Sequence, residues 1–142
     1  MNTVKIFITI MSILGVTLLL VAGMRWFSGD VAIGKRLAEN NCEVCHDLTV
    51  EQIHEKGPFL WGIYNRPAGI TGFAYSPAFT KMVEMDPFVW DDKNLEAFIT
   101  DPSQFIPDTR MAKKDSDHPI SFDGVTSAEN RQDLISYLKT LQ

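Results

Sequence analysis

Two cysteines and a histidine fall within five residues, in the stretch Asn40-Asn41-Cys42-Glu43-Val44-Cys45-His46-Asp47-Leu48, and the chain has no other cysteine. Three chemistries use such a cluster. A Cys42–Cys45 pair can cycle between dithiol and disulfide, but a redox site of that kind sits in βαβ surroundings and has no use for His46. Two thiolates and an imidazole can hold zinc, but zinc needs a fourth donor. No second CxxC exists, and the remaining nitrogen or sulfur donors are His54, His118 and the methionines. In the third chemistry the thiols add across the two vinyl groups of a haem and the adjacent imidazole becomes the proximal iron ligand, so every element of CxxCH is used. A five-residue motif also recurs by chance, so alone it leaves the three readings open.

The elements that must position this cluster come next. The chain has 142 residues, 45% hydrophobic and 22% charged, enough for one small domain and an additional segment. The additional segment is N-terminal. Ile6–Met24 is a run of nineteen residues without a charge, bounded by Lys5 and by Arg25-Trp26. That length spans a bilayer as a helix, with Trp26 placed for the interface. It exceeds the usual apolar core of a signal peptide, and the small-residue site Val21-Ala22-Gly23 is a poor cleavage signal. The expectation is therefore an uncleaved membrane anchor over residues 1–27. Lys5 and Arg25 balance, so flanking charge does not orient it.

The remaining 115 residues, 28–142, form the expected soluble domain. Setting aside Lys5 and Arg25 leaves 11 Lys/Arg against 18 Asp/Glu, a balance that disfavours nucleic acid as a partner. Helices are expected at Val31–Asn41 after Asp30, near Asp92–Thr100 after Asp91-Asp92, and at Ser127–Leu141 with Thr126 or Ser127 as cap and Glu129 behind it. A loop rich in Gly, Pro and aromatic residues runs from Lys56 to Phe88. No segment alternates long enough to argue for a sheet, so the domain reads as all-α with much loop. So small and loop-rich a chain gains its missing core from a disulfide, a metal or a cofactor, and a haem would supply one.

Blocks in a fixed order extend the reading beyond the motif: Gly29–Lys35, Gly57–Gly69 (GPFLWGIYNRPAG), Gly72–Ala78 (GFAYSPA), Phe88–Trp90, Ile106–Met111 (IPDTRM) and Arg131–Lys139. In these the sequence resembles the class I c-type cytochromes, in their mitochondrial-like branch and membrane-anchored bacterial form. The resemblance implies a class I cytochrome c fold holding one covalently attached haem c (iron). It implies Cys42 and Cys45 as thioether residues, His46 and Met111 as iron ligands, and the Pro58 carbonyl as acceptor for the other ring N–H of His46. It also implies Arg66, Tyr75 and Trp90 as donors to a buried propionate, although Trp90 read alone is a core aromatic.

Four further positions bear on the site. His54 matches a loop-bracing histidine, and His118, inside a longer loop after Met111, reads as solvated. Phe79 and Phe98 stand where relatives carry an asparagine and a tyrosine near the methionine. In the first helix Ala38 replaces an aromatic that would face Tyr137, with Gly34 expected opposite Leu134. Positions that are lysines in soluble relatives are here Asn41, Glu55, Ser103 and Gln104, with Arg110, Lys113 and Lys114 retained.

Iron held by His and Met has no open position, which leaves one-electron transfer rather than enzymatic turnover. The resemblance implies a carrier in the cytoplasmic membrane of a bacterium with its haem domain in the periplasm. Its donor would be a cytochrome bc-type complex and its acceptor a cytochrome c oxidase. The alternatives are a fixed haem subunit of a larger oxidase or dehydrogenase complex, and a haem peroxidase.

Overall fold

The computed structural model describes residues 29–112 and 121–142. The expected anchor, its flanking Lys5, Arg25 and Trp26, and Lys113, Lys114 and His118 of the long loop all lie outside these residues. Among the described residues no helix is long and apolar enough to cross a membrane.

Helix α1, Val31–Asn41, begins where Asp30 accepts hydrogen bonds from the Ala32 and Ile33 N–H groups, as its sequence predicts. Helix α2, Pro77–Met85, lies inside the stretch expected to be loop. It starts because Ser76 accepts from the Phe79 N–H and Pro77 supplies a pre-set φ in the first turn. Helix α3, Asp92–Thr100, is capped by Asp91 through the Asn94 N–H. The four-residue α4, Pro102–Phe105, follows on Asp101, and Arg110–Ala112 forms a single 3-10 turn. Helix α5, Ala128–Leu138, is capped by Ser127 and stops three residues short of the expected end. Beyond it the chain still packs inward: Leu141 is 5% exposed, and its carbonyl accepts from the Gly62 N–H at 2.6 Å.

The described residues contain no strand, only an isolated antiparallel bridge between Pro67 and Val89. Its flanking bonds, Trp90 N–H to Arg66 O at 3.0 Å and Ala68 N–H to Phe88 O at 2.9 Å, set Arg66 and Trp90 side by side.

Helices α1 and α5 cross in contact that leaves no room at Gly34. A β-carbon there would lie 2.0 Å from the Asp133 carbonyl oxygen and 2.9 Å from the Tyr137 β-carbon. A side chain at Gly34 would meet Asp133 and Tyr137 first, because the closest approach falls between main chains. Ala38 is fully buried in the same interface. The Asp30 N–H donates to Asp133 Oδ1 at 2.6 Å, fastening the start of α1 to α5. Helix α5 is fixed to α3 in turn. Arg131 pairs with Glu96 at 2.6 Å and donates to the Val125 and Thr126 carbonyls, and Lys139 pairs with Asp92 at 2.5 Å.

Gly34→Ala should therefore destabilise the holoprotein by about 3 kcal/mol, the upper end for overpacking against groups that cannot yield. Gly62 has φ +66 and nothing near its missing β-carbon, so Gly62→Ala should cost only about 1 kcal/mol of backbone strain. Denaturant unfolding of both variants tests the assignment, and equal losses would contradict it.

Candidate functional site

The end of α1, the long central loop, α3, α5 and the Arg110–Ala112 turn enclose one cavity of about 290 Å³. Cys42, Cys45, His46, Pro58, Arg66, Tyr75, Trp90 and Met111 all line it, so the residues singled out in the sequence share one space. Phe79 and Phe98 line it too, as do residues that sequence reasoning misses, among them Lys56, Phe73, Ser76 and Leu95. Those belong to segments with no chemical motif, and only the fold brings them in.

The motif forms as α1 runs out. The Cys42 N–H still bonds the Ala38 carbonyl, and the Cys45 and His46 N–H groups both turn back onto Cys42 O, at 3.0 and 2.9 Å. Cys42 is buried and Cys45 half-buried, and the two form no disulfide. Burial, with some contribution from Cys45, pushes the Cys42 thiol up to about 12. Among the described residues no group of three or more His, Cys, Asp or Glu side chains is placed to hold a metal ion.

His46 is oriented by its neighbours. A carbonyl can only accept, so Nδ1–H donates to Pro58 O at 2.6 Å and the proton is fixed on Nδ1. Nε2 then keeps its lone pair at the cavity wall. Burial lowers the pKa of the ring, while the Pro58 bond and the Glu55 charge oppose that shift. Gly57 is required beside it, since a β-carbon there would lie 2.3 Å from His46 Cε1. Asp47 secures the next turn by accepting from the Thr49 and Ile53 N–H groups.

The polar side chains are held from several loops. Arg66 is half-buried, donates to the Trp61 and Phe59 carbonyls at 2.9 Å each, and lies over the Phe59 ring at 4.8 Å. Burial lowers its pKa, yet a guanidinium remains charged at any ordinary pH. Tyr75 shares a hydrogen bond with Thr71 Oγ1 at 2.8 Å and stacks on Phe79 at 4.4 Å. Trp90 is 7% exposed, its ring 5.1 Å from Phe98 and 4.9 Å from Phe88. Its indole N–H has no acceptor among the described residues.

Met111 lies in the 3-10 turn. Its carbonyl accepts from the Phe122 N–H at 3.0 Å, and Arg110 reaches Ala74 O at 3.2 Å. The preceding turn closes from Thr109 N–H to Ile106 O at 3.1 Å with Asp108 at φ 62, a left-handed conformation that Asp tolerates better than most residues. His54 does not line the cavity. Its Nε2 pairs with Thr71 O at 2.9 Å and its ring stacks on Phe59 at 5.0 Å, which ties two loops together.

Known proteins bear on the whole span. The cytochrome c family model matches residues 31–142. Cytochrome c of Euglena viridis is 34% identical over 115 residues, covering 80% of this chain and 99% of that protein. Cytochrome c of Theileria annulata is 36% identical over 111 residues, covering 78% of this chain and 85% of that one. A cytochrome c homolog of Rickettsia felis is 37% identical over 108 residues, 75% of this chain and 54% of its own length. The relationship thus extends over the fold from α1 onward and not only over the five-residue motif. The chain belongs to the cytochrome c family, electron-transfer proteins rather than enzymes, which carry one covalently attached haem c.

Proposed function

We propose that this cytochrome c is a membrane-tethered one-electron carrier of a bacterial respiratory chain. Residues 1–27 are its anchor and residues 28–142 its haem domain, on the periplasmic side of the cytoplasmic membrane. Donor and acceptor are a cytochrome bc-type complex and a terminal cytochrome c oxidase.

The observation that carries the electron-transfer part is the pairing of two donor side chains on one cavity, a fixed-tautomer His46 with Nε2 free and the soft Met111 sulfur. The cavity fits haem c. Its walls are mainly aromatic and aliphatic, both thiols reach it, and Gly57 leaves space for the imidazole and nothing more. When bound, the iron supplies one-electron exchange between its ferrous and ferric states.

The chain's own residues do the rest. Cys42 and Cys45 hold the cofactor covalently, which also keeps this loop-rich chain folded. Pro58 orients His46 and raises its basicity. Met111 would supply the second ligand to the iron from the opposite loop, which would leave small molecules no open position. Arg66 would place a positive charge, and Trp90 an N–H that has no acceptor among the described residues, where a propionate taken out of water needs them. Phe79 and Phe98 add no polar group to the wall they share with Met111.

The tether is supported by the uncharged run Ile6–Met24. The periplasmic placement follows from thioether attachment taking place outside the cytoplasm. Few lysines stand near the motif and ligand loop, so long-range steering is weak, and a tether offsets that by raising the effective concentration at a membrane-bound partner.

Two outcomes are expected. Cys42→Ala, Cys45→Ala and His46→Ala should each abolish holoprotein, whereas Met111→Ala should keep covalent haem by pyridine haemochrome but become high-spin. A spectrally silent Met111→Ala would remove Met111 as ligand. Electron delivery to native membranes by the full chain should vary little across a salt series, and deleting residues 1–27 should lower it without altering the domain's spectrum. Full activity of the truncated form at equal low concentration would contradict the tether.

A further inference from the structure

The point at which the haem domain meets its N-terminal segment is clamped. A β-carbon on Gly29 would lie 2.4 Å from the Gln132 carbonyl oxygen and 2.7 Å from the Asp133 nitrogen, so the main chain there rests directly on α5. The next residue gives its N–H to Asp133 Oδ1 at 2.6 Å, and that carboxylate belongs to a side chain only 5% exposed. Asp30 then caps α1, and α1 packs on α5 through Gly34 and Ala38. Gly29 is therefore fixed directly on α5, with no linker between it and the first helix.

Upstream, the uncharged run ends at Met24, and only Arg25-Trp26-Phe27-Ser28 separate it from Gly29. Whatever path these residues take, covalent geometry limits the Met24-to-Gly29 distance to about 18 Å, at most ~3.6 Å per residue. Helix α1 adds eleven residues, about 16 Å at 1.5 Å each, before its far end at Asn40, Asn41 and Cys42 reaches the cavity.

We propose that this short, clamped tether, with about 7 Å more across residues 29–31, holds the near wall of the cavity within about 40 Å of the apolar edge of the bilayer, with the start of α1 turned toward the lipid. The inference rests on the anchor reading above and narrows its partners. Electrons pass only to and from membrane-embedded proteins whose docking sites lie low against the bilayer surface. A partner whose redox centre stands high on a large extramembrane domain is out of reach. The domain behaves as a short-armed carrier confined to the membrane surface, and lateral diffusion of the anchor, not swinging of the arm, brings it to each partner.

The test uses the full holoprotein and a form with about twenty Gly/Ser residues inserted between Ser28 and Gly29, which adds roughly 25 Å of root-mean-square reach. Both are reconstituted in phosphatidylcholine–phosphatidylglycerol vesicles carrying a headgroup fluorophore whose emission overlaps haem absorption. The native form should quench this fluorophore strongly and the inserted form should lose that quenching, with unchanged haem spectra in both. In native membranes the inserted form should transfer electrons about ten-fold more slowly, as effective concentration falls with roughly the −3/2 power of linker length. Equal quenching by the two forms would overturn the inference, because something other than the tether would then set the domain's height. Faster transfer on insertion would overturn it as well, by showing that the partner lies farther out. Failure of the native form to associate with vesicles after an alkaline carbonate wash would overturn the anchor reading itself, a result distinct from either.

Discussion

The domain is built around a space that its own side chains do not fill. Aromatic residues from four segments, Phe73 and Tyr75, Phe79, Trp90, and Phe98, pack edge to edge and face to face along one wall and together line one cavity. Of the largest side chains with less than 2% exposure, Ile106, Leu134 and Pro102, Leu134 lines it. A chain of this size has little surplus stability, so a haem held covalently in this cavity would supply much of the core it needs. Most other features follow from that constraint. The helices are short because each only has to supply one section of wall. The loops are long because they wrap the cavity, and they are fastened by side chains such as Arg66, His54 and Asp47 that bind the main chain of a neighbouring turn. The chemical groups sit at the edges of helices, where the backbone can present them inward.

Much of this is legible in the amino-acid sequence wherever a local physical signal exists. Asp30, Asp91 and Ser127 each stand before an amphipathic run, and each proves to be the cap of a helix. The CxxCH cluster and the Ile106–Met111 block point to residues that line one cavity, although they are about sixty positions apart in sequence. Helix α2 escapes such a reading because Gly, Pro and aromatic residues dominate its surroundings, even though Ser76-Pro77 is a good helix start. Helix α4 is too short to show any period. The end of α5 falls earlier than expected because Leu141 continues the apolar spacing after the helix has stopped, its burial coming from a loop contact at Gly62. The register at Gly34 is hidden because main-chain approach between two helices leaves no trace in hydropathy. The partners of Arg66 and Tyr75 are likewise invisible, since they are a pair of carbonyls and a threonine hydroxyl set by loop geometry.

The same crossing of α1 and α5 links the site to the membrane reading. One end of α1 delivers Cys42 to the cavity, and the other is fixed by Asp133 at the point where the N-terminal segment joins. A helix of known length therefore runs between the cavity and the start of the domain. Under the proposed anchor, the four residues between the apolar run and Gly29 would turn that length into a limit on where electrons can go.

The proposed electron-transfer role requires that His46 and Met111, which line one cavity, both ligate the haem iron. Proton–carbon NMR of the ferrous holoprotein with methionine methyl groups labelled tests this directly, because a methyl held over the porphyrin is shifted far upfield by the ring current. The account predicts a single such methyl, assigned to Met111 by its disappearance in Met111→Leu. No upfield methyl, or one that survives that substitution, would contradict it.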